Sequence, residues 1–139
     1  MKKLEFPFVK VMKNQTVGAN PGTRYRKQRF NAGRISFDVL VKEITEREGL
    51  TRADVSAAVF ALTDVIKEKI ASGYSVEIGA LGTLVPFLKS ANKTTLAQVS
   101  VDGEDEIHCT FRPSSEFSAF LKNDVTLVEA NVDIHGLQS

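Results

Sequence analysis

Cysteine occurs once in this chain, at Cys109. A single thiol closes no disulfide framework and supplies no zinc site, so a reducing cytoplasmic setting is expected. Long hydrophobic runs are lacking too. No apolar stretch approaches the roughly 18 residues that a membrane-crossing helix needs. The lysines beside Met1 have no apolar segment behind them, so a secretory leader is not expected. Neither a P-loop nor a dinucleotide fingerprint is present. There is no internal repeat and no low-complexity tract. What remains is 42% hydrophobic and 25% charged, an ordinary globular composition, and 139 residues suffice for a domain with a core.

Acidic residues are scarce in one region only. Residues 1–34 hold nine cations, Lys2, Lys3, Lys10, Lys13, Arg24, Arg26, Lys27, Arg29 and Arg34, against the single acid Glu5. That segment carries +8 in a chain whose net charge is +1, which leaves −7 on the remainder. A basic arm on a mildly acidic body points to a polyanionic partner, although a solvated terminus gives the same count.

The pattern along the chain predicts mixed elements. Residues 6–13 alternate and read as a strand. Gly18, Asn20, Pro21 and Gly22 mark a loop, and residues 24–30 interleave cations with Tyr25 and Phe30 in an extended run. Ser36 is a good N-cap for a first helix, with Phe37, Leu40, Val41 and Ile44 on one face and Gly49 at its end. Thr51 and Asp54 open a second helix. Its apolar stripe of Val55, Ala58, Val59, Leu62, Val65, Ile66 and Ile70 is wide enough to face more than one neighbour. Gly73 stops it. Strands are expected over 74–78 and 83–88, joined by Gly79-Ala80-Leu81-Gly82, with Pro86 marking an edge or a bulge. Residues 96–101 and 107–111 read as two more strands about an Asp102-Gly103 turn. A short helix follows Arg112-Pro113-Ser114-Ser115-Glu116, with Phe117, Phe120 and Leu121 on one face, and residues 125–132 read as a last strand.

Catalysis finds little support. His108 and Cys109 are neighbours in a strand pattern, so they face opposite ways and form no dyad. His135 has no evident partner. The acids at 102–106 lack the twelve-residue spacing of a calcium loop. Phe111, Phe117 and Phe120 fit a core better than a base-stacking platform, and the second helix is too apolar for a recognition helix in a major groove. No enzyme activity, cofactor, metal or small-molecule substrate is expected.

The order helix, glycine turn, helix, strand, G-x-x-G, hairpin, strand, proline, short helix resembles the HU/IHF family of histone-like proteins. Gly79-Ala80-Leu81-Gly82-Thr83 is similar to that family's turn after its first strand. Phe111-Arg112-Pro113-Ser114-Ser115-Glu116-Phe117 resembles its lead-in to the last helix. The likeness covers about residues 35–122 and looks closest to a branch with an N-terminal extension. It implies an α+β fold: a helical hairpin, an antiparallel sheet with a β-hairpin arm, a short C-terminal helix, and an intertwined homodimer. Three segments are expected: a basic extension at 1–34, the HU/IHF-like domain at 35–122, and a C-terminal extension at 123–139.

The resemblance also implies sequence-tolerant binding of double-stranded DNA, with an architectural role in a cytoplasmic nucleoid. The family's arms wrap the minor groove with basic side chains and a proline wedge at the tip. Here the hairpin read at residues 98–106 has no proline and carries Asp102, Glu104, Asp105 and Glu106, which repel phosphates. The phosphate-binding set is therefore expected at Arg24, Arg26, Lys27, Arg29 and Arg34, helped by Lys89 and Lys93. The competing reading is an HU-like dimerisation or scaffold module that binds protein partners and has lost DNA binding.

Overall fold

The computed structural model describes residues 4–15, 22–100 and 103–130. The chain divides into two compact units. A central unit is Ile35–Ser118, and a flanking unit joins Met1–Arg34 with Ala119–Ser139.

The central unit opens with two capped helices. In α1 (Phe37–Glu48) the Ser36 hydroxyl accepts the Val39 N–H at 3.3 Å, which satisfies one of the unpaired donors of the first turn. Gly49 closes α1 in the left-handed region at φ 68°, donating its N–H to the Thr45 carbonyl at 3.0 Å. In α2 (Arg52–Ala71) the Thr51 oxygen accepts the Asp54 N–H at 3.1 Å, and its hydroxyl donates to the Asp54 carboxylate at 2.7 Å. Val41 and Val55, each 4% exposed, are the buried side chains of the pair. The Phe37 and Phe60 rings meet with centroids 5.6 Å apart. Part of the expected stripe is open: Leu62 and Val65 of α2, and Leu40 and Ile44 of α1, remain exposed, while Val59, Ile66 and Ile70 are half-buried.

Three antiparallel strands follow in the order β3-β4-β5: β3 (Val76–Ile78), β4 (Gly82–Lys89) and β5 (Glu106–Pro113). The Gly79–Gly82 reversal lets Ile78 pair with Gly82. Gly82 has no room for a side chain. A β-carbon there would lie on the Arg112 carbonyl oxygen and 2.7 Å from the Phe111 ring. β3 reaches β4 only between Gly82 and Leu84, so Pro86 sits where β4 is paired on one side, with Cys109.

The expected strand over residues 96–101 does not form among the described residues. Leu96–Gln98 is a single 3₁₀ turn, closed by the Gln98 N–H on the Thr95 carbonyl at 3.2 Å and the Val99 N–H on the Leu96 carbonyl at 3.1 Å. The Thr94 hydroxyl reaches the Gln98 side-chain oxygen at 2.8 Å, a local bond that competes with a ladder. β5 already has a full-length partner, from Gly82 opposite Pro113 to Lys89 opposite Glu106. The arm is therefore β4–β5, and residues 90–105 connect its strands. Asp102, half of the expected turn, lies outside the described residues.

Helix α3 (Ser115–Asn123) is capped by Ser114, which ties it to the β3–β4 turn. The Ser114 hydroxyl donates to the Ala80 carbonyl and accepts the Phe117 N–H at 3.0 Å; the Ser114 N–H donates to the Leu81 carbonyl at 3.0 Å. The division between the two units falls within α3.

The flanking unit is a three-stranded sheet ordered β2-β1-β6: β1 (Leu4–Gln15), β2 (Gly22–Arg29) and β6 (Val125–Glu129). β1 and β2 run antiparallel, whereas β6 lies parallel to β1, with Leu4 opposite Val125 and Phe8 opposite Glu129. Strands from the two ends of the sequence, read there as separate segments, thus share one sheet. Residues 131 and 132 of the expected last strand lie outside the described residues. Strand alternation gives the sheet two unlike faces. One holds Val11, 7% exposed, with half-buried Pro7, Val9 and Val128. The other holds Leu4, Phe6, Phe8, Lys10 and Met12.

Candidate nucleic-acid interface

β2 is an edge strand with every residue exposed. Its sequence, Gly22-Thr23-Arg24-Tyr25-Arg26-Lys27-Gln28-Arg29, contributes no side chain to a core. The strand is held by its ladder to β1, from Phe8 opposite Arg29 to Gln15 opposite Gly22. That register assigns the cations to faces. Arg24 and Arg26 lie on the face of Val9 and Val11; Lys27 and Arg29 lie on the face of Phe8 and Lys10.

The pairing contains an electrostatic conflict. Lys10 stands directly opposite Lys27, and like charges so placed destabilise a sheet. Two local interactions offset it. Lys10 reaches the Glu129 carboxylate at 3.6 Å, and the Lys27 ammonium lies 5.3 Å from the centre of the Phe8 ring. Among the described residues no carboxylate lies within ion-pair distance of Arg26, Lys27, Arg29 or Arg34. At Arg26, Lys27 and Arg29, β2 therefore displays charge that no carboxylate among the described residues engages at ion-pair distance. Such charge also disfavours pairing of the open edge with a copy of itself, since antiparallel self-pairing would set cations against cations.

Arg34 is exposed in the segment before α1, outside any helix or strand. Lys89 and Lys93 belong to the central unit. Lys89 ends β4 opposite Glu106, and Lys93 lies in the connection after it. The arm carries carboxylates from Glu104, Asp105 and Glu106. Glu106 also bonds the His108 imidazole at 2.8 Å, and His108 stacks on Phe87 at 5.4 Å between ring centroids. Among the described residues no group of three metal-ligating side chains comes together. None of the described helices is long and apolar enough to cross a membrane.

Sequence reading misses one member of the basic group. Lys10 counts among the N-terminal cations, but nothing in the sequence places it beside Lys27. The signal lies in the alternation of residues 6–13, and its use needs the register of the hairpin.

A family described as an HU domain fused to a wHTH, Ig, or glycine-rich motif (HU-HIG) matches residues 3–127, and the chain belongs to it. The fold is also similar to a crystal structure described as a "Putative bacterial DNA binding protein" from Bacteroides vulgatus ATCC 8482. The TM-score is 0.70 at 14% identity, over 94% of this chain and 51% of that one, so the chain spans about half the length of the structure it matches. No curated protein matches the chain.

Proposed function

We propose that the chain is a DNA-binding protein of the HU-like class, a homodimer that holds duplex DNA through its phosphates with little sequence preference. Its role on this reading is architectural, in a nucleoid, and it requires no catalytic group, metal or cofactor. Family membership supports the reading, as does the description of the structural neighbour as DNA-binding. The observation that carries it is β2, whose four cations are all exposed on a strand with no core to fill. Phosphate contacts come from Arg24, Arg26, Lys27, Arg29 and Arg34. Lys89 and Lys93 contribute less, because the carboxylates of the arm weaken the field there.

The homodimer rests on α1 and α2. Phe60, Leu62 and Val65 of α2 and Leu40 and Ile44 of α1 are exposed apolar side chains, the kind of surface that marks an interaction site. A second copy covering those side chains gives the broad α2 stripe its missing neighbour.

A gel-shift titration with random duplex at low and moderate salt tests the reading. Binding that weakens steeply with salt supports it. A second reading, an HU-like scaffold without DNA binding, is favoured by the acidic arm and predicts no shift at either salt concentration.

A further inference from the structure

The flanking sheet gathers its rings on one face, with exposed Leu4, Met12 and Leu127 and half-buried Phe8 among them, while its one fully buried side chain, Val11, lies on the other. Pro7, Val9, Val11 and Val128 occupy the covered face, while Phe6, Phe8 and Tyr25 share the other. A core normally takes the larger rings. Tyr25 is 75% exposed beside exposed Met12, and Phe6 is 38% exposed beside exposed Leu127.

Cations are interleaved with these rings in a fixed order. Along β1 the face reads Phe6 beside Leu127, then Phe8 between Arg29 and Glu129, then Lys10 opposite Lys27, then Met12 opposite Tyr25. Six strand positions separate Phe6 from Met12, about 20 Å at the strand rise. The sequence of groups is ring, guanidinium, ammonium pair, ring. Glu129 opposes an anion on this face, and Lys10 engages it at 3.6 Å, which leaves Lys27 and Arg29 as the available charges. Phe8 is spoken for by Lys27 at 5.3 Å, so Phe6 and Tyr25 are the rings open to a ligand.

We propose that this face binds single-stranded nucleic acid, with unpaired bases against Phe6 and Tyr25 and phosphates on Arg29 and Lys27. Protein interfaces deplete lysine at their centres, whereas single-strand sites combine cations that follow the backbone with rings on which bases stack. A duplex keeps its bases stacked inside, so rings add little to duplex binding on this surface. The site shares Lys27 and Arg29 with the duplex reading, and rests on that reading only for the sign of the ligand's charge.

The test uses the full chain and an oligothymidylate of about twelve nucleotides, within the roughly 4–16 nucleotides such sites cover. Affinities for it and for a random duplex are measured by fluorescence anisotropy for wild type, Tyr25→Ala, Phe6→Ala and Tyr25→Phe. Each alanine variant is expected to lose about fivefold or more in single-strand affinity, while Tyr25→Phe keeps it and duplex affinity stays put. In a Tyr74→Phe background Tyr25 is the sole tyrosine, and its emission should be quenched by the oligonucleotide. Both rings are exposed, and circular dichroism checks that the variants fold. Single-strand affinity unchanged in the alanine variants overturns the proposal and leaves the duplex reading standing. Ring-dependent single-strand binding without duplex binding supports the proposal and removes the duplex reading. A changed oligomeric state with unchanged single-strand affinity also overturns it, because a second copy then covers the face.

Discussion

Lys27 on β2 holds its ammonium 5.3 Å from the centre of the Phe8 ring on β1. The interaction crosses the hairpin diagonally and draws Lys27 away from Lys10, which stands directly opposite it. Removing the ring leaves the two ammonium groups facing each other over an aliphatic side chain. Phe8→Leu should therefore destabilise the flanking unit by about 0.5–2 kcal/mol beyond a volume change alone, and salt should reduce the difference. Denaturant unfolding at two ionic strengths measures it; an effect identical at both would assign the loss to packing.

The exposed stripe on α2 predicts the assembly. Leu62→Glu with Val65→Glu places two carboxylates on that stripe, away from the buried Val41 and Val55. Analytical ultracentrifugation should find the wild type at twice the chain mass and the variant dissociated or strongly weakened. A wild type that sediments as a monomer contradicts the dimer.

Gly82 and Gly103 offer a matched pair. A β-carbon at Gly82 meets the Arg112 carbonyl and the Phe111 ring, whereas one at Gly103 meets nothing within 4 Å. Gly82→Ala is expected to cost about 1–3 kcal/mol through overpacking, and Gly103→Ala less than about 0.5 kcal/mol. Thermal melts of both variants decide it, and equal shifts would show that the close approach is not maintained in solution.

Ser114 has two jobs, the cap of α3 and the tie to the Ala80 carbonyl. Ser114→Ala should cost about 1–2 kcal/mol, while Ser36→Ala, which loses a cap alone, should cost about 1 kcal/mol or less. Chemical denaturation of the two variants compares them directly; a smaller loss at Ser114 would remove the tie.

Much of the fold is legible in the sequence because its signals are local. Ser36 and Thr51 are side-chain caps, Gly49 needs a left-handed conformation, and Pro86 announces a one-sided ladder. Each acts within a few residues of itself. The parallel pairing of β6 with β1 is not legible, since it joins positions more than a hundred residues apart and leaves no motif in either strand. The 3₁₀ turn at Leu96–Gln98 escapes notice because an alternating pattern cannot show that β5 is already paired with β4. In the basic segment, the charge can be counted from the sequence. Which cations share a face emerges only from the register, which places Lys27 and Arg29 with Lys10, and Arg24 and Arg26 with Val11.

Duplex affinity as a function of salt, measured for the wild type and for the variant Arg24→Ala, Arg26→Ala, Lys27→Ala, Arg29→Ala, tests the central claim most directly. The account predicts a linear fall of log affinity with log salt in the wild type. In the variant the slope should be shallower by about 0.9 for each phosphate no longer neutralised, with affinity reduced equally for unrelated sequences. A variant with the wild-type slope and affinity would contradict it.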